Sequence, residues 1–169
     1  MEKTPLLLHI CCAPCGSGCL PRLTDRRVTL FYSNSNIVTR EEYEKRLEWV
    51  RFLAETHQVP LLVDPYDHED WLRTIRTLEN AASFPERGPR CALCFGYSLR
   101  RTARKADELD IPFSTTLTVS PHKDSALIFR TGHAVSGRFE AIDFKKKDGF
   151  LLSLRESRRL GLYRQNFCG

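Results

Sequence analysis

The chain has 169 residues, of which 41% are hydrophobic and 28% are charged, as in an ordinary soluble protein. Its apolar runs are too short to span a bilayer or to form the core of a secretory signal peptide. The sequence therefore predicts one domain over residues 1–169, located in the cytoplasm without a membrane partner, where reducing conditions disfavour structural disulfides.

The spacing of apolar residues predicts strands and helices that alternate along the chain. The clearest helix covers residues 40–57, with Thr39 as its N-cap and Glu42 in an acidic first turn. After the first strand, residues 16–18 predict a tight turn, with Ser17 capping the following helix. The predicted order is strand 6–10, strand 28–32, helix 40–57, strand 59–63, helix 69–78, a helix from the CxxC motif to about residue 110, strand 111–119, a helix starting at Pro121, an extended segment 139–144 and helix 151–160. This alternation predicts an α/β domain with a mainly parallel sheet.

The seven cysteines are the most informative residues of the chain. They are Cys11, Cys12, Cys15 and Cys19, then Cys91 and Cys94, and finally Cys168. The first group directly follows a predicted buried strand, and ligands collect at such strand ends in α/β folds. Because disulfides are disfavoured in the cytoplasm, this many cysteines indicates metal or redox chemistry.

The most local set of four thiolates is Cys11, Cys12, Cys91 and Cys94. Adjacent cysteines can reach different irons of one cubane but chelate a single zinc ion poorly, so the spacing favours an iron–sulfur cluster over zinc. For Cys19 we expect a small buried side chain rather than a ligand. His9, on the strand before the cysteines, is expected to be a hydrogen-bonded core histidine.

Two alternatives remain open at this point. A CxxC motif at the start of a helix is also typical of metal-free dithiol oxidoreductases, and Cys91 and Cys94 form such a motif. Four thiolates can also bind structural zinc, which would favour a non-catalytic zinc-stabilised module that binds RNA. A cysteine-rich iron site, a dithiol pair and a zinc module differ in colour, labile sulfide and response to chelators.

Positive charge is concentrated in the second half of the chain. Residues 1–89 carry 11 Lys/Arg and 13 Asp/Glu, whereas residues 90–169 carry 15 Lys/Arg and 8 Asp/Glu. Any one basic cluster could be a solvated helix face, but several in one half favour a polyanionic partner such as nucleic acid. The predicted nucleic-acid-binding residues are Arg100, Arg101, Arg104, Lys145, Lys146, Lys147 and Arg164.

Five separated blocks of sequence carry a resemblance to a known family. They are residues 9–15 (HICCAPC), 90–94 (RCALC), 115–123 (TTLTVSPHK), 143–146 (DFKK) and 163–169 (YRQNFCG). In this order they resemble the cobalamin-independent epoxyqueuosine reductases, the QueH family, from residue 6 to residue 169. The resemblance implies a Rossmann-like three-layer fold related to the adenine nucleotide α-hydrolases. It also implies reduction of epoxyqueuosine to queuosine at the wobble position of tRNA, with a [4Fe-4S] cluster and a second, mononuclear iron.

The resemblance also implies roles for single residues. Cys11, Cys12, Cys91 and Cys94 would bind the [4Fe-4S] cluster, and Cys15, where relatives can carry a carboxylate, would bind the second iron. The family commonly ends in Cys-Gly-Cys, whereas this sequence has only Cys168 and Gly169 at that place. Cys168 is therefore expected to act without a neighbouring cysteine, as a further ligand of the second iron.

We hypothesise that the second iron binds the epoxide oxygen while the cluster passes electrons from an external donor. The two catalytic cysteines would then be Cys15 and Cys168. Asp124 is the predicted catalytic acid, and His122 and Asp67 are other candidate proton donors.

Overall fold

A computed structural model describes residues 2–76 and 89–164, with side chains from residue 92 onward in the second range. Within these ranges, the strands form one four-stranded parallel sheet in the order β3-β2-β1-β4. The strands are β1 (Thr4–Ile10), β2 (Arg26–Tyr32), β3 (Leu61–Val63) and β4 (Phe113–Thr115). In the described part of the chain, no helix is both long and apolar enough to cross a membrane.

Helices cover both faces of this sheet. They are α1 (Ala13–Cys19), α2 (Arg40–His57), α3 (His68–Ile75), α4 (Pro89–Leu109), α5 (Ser125–Val135) and α6 (Gly149–Leu160), with short 3-10 helices at Leu20–Arg22 and Thr116–Val119. In β1, Leu6 and Leu8 pack into one core with α1 and α2, whereas Leu7 packs into a second core with α4 and α5. Because β1 is buried on both faces, it reads as a continuous apolar run. The predicted Rossmann-like three-layer α/β fold is confirmed.

Several predicted elements agree closely with the structure. Helix α2 has the predicted bounds, and the Thr39 hydroxyl accepts a hydrogen bond from the Glu42 amide at 3.2 Å, as an N-cap should. Helix α4 ends at Leu109, next to the predicted end. Helix α3 begins one residue before the prediction, and the predicted last residues, 77 and 78, lie outside the described residues.

The tight turn predicted for residues 16–18 is wrong, because these residues lie inside α1. Ser17 does not cap the helix; its hydroxyl donates to the Pro14 carbonyl at 2.7 Å. The glycines serve close packing instead of a turn. A Cβ atom on Gly18 would lie 2.7 Å from the Cβ of Ser153 in α6, so only glycine lets the two helices approach this closely.

The long strand predicted over residues 111–119 is also wrong. Strand β4 ends at Thr115, whose hydroxyl accepts a hydrogen bond from the Leu117 amide at 3.1 Å and turns the chain into the 3-10 helix Thr116–Val119. The helix predicted to start at Pro121 starts at Ser125. The predicted extended segment 139–144 forms only an isolated bridge between Phe139 and Phe113 in the described part of the chain.

Candidate metal centre and adjoining cavity

Three thiols lie together at the carboxyl end of β1. Cys11 and Cys12 follow the strand directly, and Cys15 lies in the first turn of α1. The Sγ atoms of these residues, the thiol triad, all lie within 4.8 Å of one another. One helical turn separates Cys12 from Cys15, which places both side chains on the same side of the helix start. The sequence therefore folds into a ready group of soft ligands at the edge of the sheet where α/β proteins bind ligands.

The strand ends around the triad are held by buried hydrogen bonds. His9 is 1% exposed, with Nε2 3.1 Å from the carbonyl oxygen of Ser33 and Nδ1 2.9 Å from the Thr115 hydroxyl. Since a carbonyl oxygen only accepts, Nε2 donates to Ser33 and Nδ1 accepts from Thr115. Burial lowers the pKa of His9 and favours this neutral form. The predicted core role of His9 is confirmed, and it ties β1 to the segments on either side.

The triad opens onto a cavity of about 460 Å³, which we call the thiol cavity. Cys11, Cys12 and Cys15 line it on one side, and Cys94 of α4 lines it as well. Residues far apart in the sequence are therefore brought to one space. Cys91 lies one turn before Cys94 in α4, and its side chain is outside the described part of the structure. Cys168 also lies outside the described residues.

The donor chemistry of the triad fits a metal. Hydrogen bonding to Cys12 is the largest influence on Cys11 and raises the pKa of its thiol, and burial adds to this. Hydrogen bonds with Cys11 and Cys12, together with burial, raise the pKa of Cys15 well above its usual value. Cys11 and Cys15, whose pKa values are raised, and the adjoining Cys12 become a good thiolate set once a cation among them balances the charge. The residues present therefore fit a thiolate-bound metal.

Cys19 differs from the triad in place and surroundings. Its side chain is fully buried in the hydrophobic core, and burial raises the pKa of its thiol well above the usual value. It does not belong to the group of thiols that could hold a metal. The prediction of a small buried side chain is confirmed.

The candidate proton donors lie in two kinds of position, at helix N-caps and in the cavity wall. Asp124 is the N-cap of α5, with Oδ1 accepting from the Ala126 amide at 3.0 Å, and Asp67 caps α3 in the same way. His122 and Lys123, in contrast, line the thiol cavity. The positive charge of Lys123 lowers the pKa of Cys11, although other influences outweigh it. The catalytic role of Asp124 stays a prediction, and sequence reasoning missed Lys123, which belongs to one of the blocks quoted above.

The predicted nucleic-acid-binding residues occupy different environments. Arg100, Arg104, Lys146 and Lys147 are exposed, as phosphate contacts require. Lys145 donates from Nζ to the Lys123 carbonyl and to the Ser125 hydroxyl, both at 2.6 Å, and so supports the segment before α5. Arg164 lines the thiol cavity.

Arg101 takes part in an internal ion pair. Its guanidinium binds Asp64 with both donor groups, and the NH2–Oδ1 distance is 3.0 Å. This hydrogen-bonded pair raises the pKa of Arg101 further above its usual value. Contact of Arg101 with RNA stays a prediction.

Together, the fold and the site define an α/β protein with three cysteine thiols that could hold a metal ion, gathered at the carboxyl edge of a parallel sheet. A family model described as "Epoxyqueuosine reductase QueH" matches residues 6–169. The chain belongs to the QueH family.

Curated relatives named "Epoxyqueuosine reductase QueH" match nearly the whole chain. The relative from Streptococcus pyogenes serotype M1 is 37% identical, and the match covers 99% of this chain and 69% of that protein. The relative from Thermotoga maritima is 31% identical, with 97% of this chain and 87% of that protein covered. The relative from Acinetobacter baylyi is 32% identical, with coverage of 97% and 78%. The resemblance drawn from the five sequence blocks is confirmed.

Proposed function

We propose that this protein is an oxidoreductase that reduces epoxyqueuosine to queuosine at the wobble position of tRNA. The substrate and the reaction come from the family and the names of the relatives. The observation in this chain that supports them best is the shared lining of one cavity by Cys11, Cys12, Cys15 and Cys94. A single domain over residues 1–169 with a cysteine-containing C-terminal tail, acting in the cytoplasm where tRNA is modified, belongs to the same proposal.

The ligands divide between two metal groups. Cys11, Cys12, Cys91 and Cys94 would hold a [4Fe-4S] cluster, and Cys15 and Cys168 would hold a second iron. When bound, the cluster supplies electrons one at a time and the second iron supplies a Lewis acid. The sequence separation is compatible with this role for Cys168. Arg164 lines the cavity, and Cys168 follows it by four residues, a separation over which an extended chain can reach at most about 14 Å.

The overall chemistry defines what the cavity has to provide. Conversion of the epoxide to an alkene breaks two carbon–oxygen bonds, forms a carbon–carbon double bond and releases the oxygen as water. It consumes two electrons and two protons, and an external electron donor must supply the electrons. His122 lines the cavity, and histidine is the side chain most often used for general acid–base catalysis, whereas Asp124 would have to leave its capping position.

The protein binds RNA mainly through phosphates in this proposal. Exposed Arg100 and Arg104 on α4, and Lys146 and Lys147 before α6, supply positive charge outside the cavity. Because each phosphate contact releases counterions, tRNA affinity should fall steeply as the salt concentration rises.

Anaerobic purification followed by metal and sulfide analysis tests the proposal. We expect iron, acid-labile sulfide, visible absorption of an iron–sulfur protein and conversion of epoxyqueuosine in tRNA by the reduced protein. Cys12→Ser should lose the cluster, and Cys19→Ser, at a position buried in the core and outside the triad, is the matched control. A colourless active protein would instead support the dithiol oxidoreductase. Stoichiometric zinc without sulfide, with unfolding on chelation, would support the zinc-stabilised RNA-binding module.

A further inference from the structure

The wall of the thiol cavity is basic. Arg46, His122, Lys123 and Arg164 line it, and among the described residues no carboxylate does so. The cavity volume of about 460 Å³ lies within the range of about 300–1,000 Å³ that is usual for small-molecule sites. A cavity of this size with cationic side chains and no carboxylate in its described wall favours an anionic ligand.

Arg46 and Arg164 differ in how their charge is balanced. Arg46 is 3% exposed, and its Nε donates to Glu42 at 2.9 Å, so a carboxylate compensates it. Arg164 donates to the neutral hydroxyls of Ser157 at 3.0 Å and Ser153 at 3.4 Å. None of the described carboxylates forms a salt bridge with Arg164. Within the described part of the chain, no carboxylate therefore compensates its charge.

Arg164 is also held in place before any ligand binds. The preceding residue, Tyr163, donates its hydroxyl to Glu42 at 2.8 Å, and the Lys45 ammonium lies 3.9 Å from the centre of the Tyr163 ring. The guanidinium itself is held through its NH2 group, which donates to the two hydroxyl groups of α6. Such preorganisation lowers the entropy lost on binding.

An aromatic ring lies next to this guanidinium. Phe150 lines the thiol cavity, and the Arg164 Cζ atom lies 6.0 Å from the centre of its ring. The start of α6, which carries Phe150, is fixed by close packing: a Cβ atom on Gly149 would lie 1.4 Å from the Phe144 carbonyl oxygen. Proteins that bind unstacked RNA bases combine an aromatic face for the base with cations for the phosphates.

We propose that Phe150 and Arg164 form the nucleotide-binding corner of the cavity. The base of the modified nucleotide contacts the Phe150 ring, an adjoining phosphate pairs with Arg164, and Lys123 supplies a second positive charge. This inference rests on the proposed function and adds the direction of approach: the RNA strand arrives past α6, where Lys146 and Lys147 are exposed a few residues before Phe150.

Binding of an anticodon stem-loop RNA tests this corner. The RNA is prepared with epoxyqueuosine and with ordinary guanosine at the wobble position, and binding is measured as a function of salt. Phe150→Ala should weaken binding of both RNAs and raise KM by roughly 10-fold or more, the range expected when one base loses its stacking partner, without loss of iron. Phe150→Tyr keeps a ring and should stay close to the parent.

Arg164 is tested by its charge. Arg164→Gln should lower affinity by about 10-fold and reduce the slope of log K against log salt by about 1, the value for one lost phosphate contact. Arg164→Lys should keep most of that slope. Arg159→Gln is the control, because Arg159 lies near the end of α6, five residues before Arg164, and pairs with Glu156 at 2.7 Å. Thermal unfolding of each variant identifies any that fails to fold.

The inference is overturned if Phe150→Ala and Arg164→Gln fold, bind both RNAs with parental affinity and keep the parental salt slope and KM. If the parent reduces the epoxide in that case, the proposed function stands without this corner. If the iron-loaded parent does not reduce the epoxide, the proposed function fails, and the binding measurements on the same RNAs still decide whether Phe150 and Arg164 hold a nucleotide.

Discussion

The ion pair between Asp64 and Arg101 gives the sharpest stability prediction. Asp64 follows β3 and is 8% exposed, and Arg101 belongs to α4, the helix that carries Cys94. Ser33 donates its hydroxyl to Asp64 Oδ2 at 2.9 Å, so the carboxylate joins α4 to the loop after β2. Counting side-chain atoms alone, Arg101 is 20% exposed and Asp64 is 10% exposed. The pair therefore fixes one wall of the thiol cavity relative to the sheet.

Removal of one partner should be strongly destabilising. Arg101→Met leaves the Asp64 carboxylate buried with a neutral donor, and breaking a buried pair in this way costs about 3–5 kcal/mol. Because Arg101 is partly exposed, we expect the lower end, about 3 kcal/mol. At roughly 2–4 °C per kcal/mol for a chain of this size, the midpoint of thermal unfolding should fall by about 10 °C. Urea unfolding of the metal-free protein, followed by circular dichroism, measures the change in unfolding free energy.

Arg104→Met is the matched control for this experiment, because Arg104 is exposed on the same helix and its loss should change the free energy of unfolding by no more than about 0.5 kcal/mol. The double variant Asp64→Leu with Arg101→Met removes both charges and should recover most of the lost stability. Equal stability of Arg101→Met and Arg104→Met would refute the reasoning. A double variant no more stable than the single variant would also contradict it.

Three further predictions concern Cys94, Gly18 and Glu42. Cys94→Ser should abolish acid-labile sulfide while Cys19→Ala keeps it, as measured by iron and sulfide analysis after anaerobic purification. Gly18→Ala should destabilise the protein by more than 1 kcal/mol, since its Cβ would lie 3.0 Å from a backbone atom of α6, whereas Gly137→Ala, with no atom within 4 Å, should change little in urea unfolding. Burial alone would raise the pKa of Glu42, but hydrogen bonds from a buried arginine and a tyrosine outweigh it and lower the pKa. The ionised Glu42 side chain therefore stabilises the folded protein above its unfolded pKa of about 4.3, and this stabilisation is lost as the pH falls through its lower folded-state pKa. Glu42→Gln should consequently lose less unfolding free energy than the parent between neutral and acid pH.

The fold could be predicted where local pattern and packing agree. Strand β1 reads as a buried apolar run, and α2 combines apolar spacing with its Thr39 cap, so both were found from the sequence. The glycines of α1 were interpreted as a turn. Their role in close helix packing could not be predicted locally, because it depends on Ser153, which lies far away in the sequence. The chain leaves β4 at Thr115 through a side-chain hydrogen bond that strand propensity does not register.

The candidate site was predictable in its donors and less so in its surroundings. The number and spacing of the cysteines predicted metal ligation by Cys11 and Cys12, the family resemblance added Cys15, and the structure gathers the sulfur atoms of all three. Arg101 looked like its basic neighbours because its partner, Asp64, is separated from it by 37 positions. Phe150 carried no local signal, and Lys123 was part of a family block without an assigned role, since only the fold brings α6 and the segment before α5 to the same cavity.

Quantitative sulfide and iron analysis combined with a single turnover of epoxyqueuosine in tRNA tests the central claim most directly. The account predicts that anaerobically purified, chemically reduced protein contains a [4Fe-4S] cluster and removes one oxygen atom from the wobble nucleoside, as seen by mass spectrometry. It also predicts that Cys12→Ser loses both properties together. Full conversion by protein that contains neither iron nor labile sulfide would contradict it.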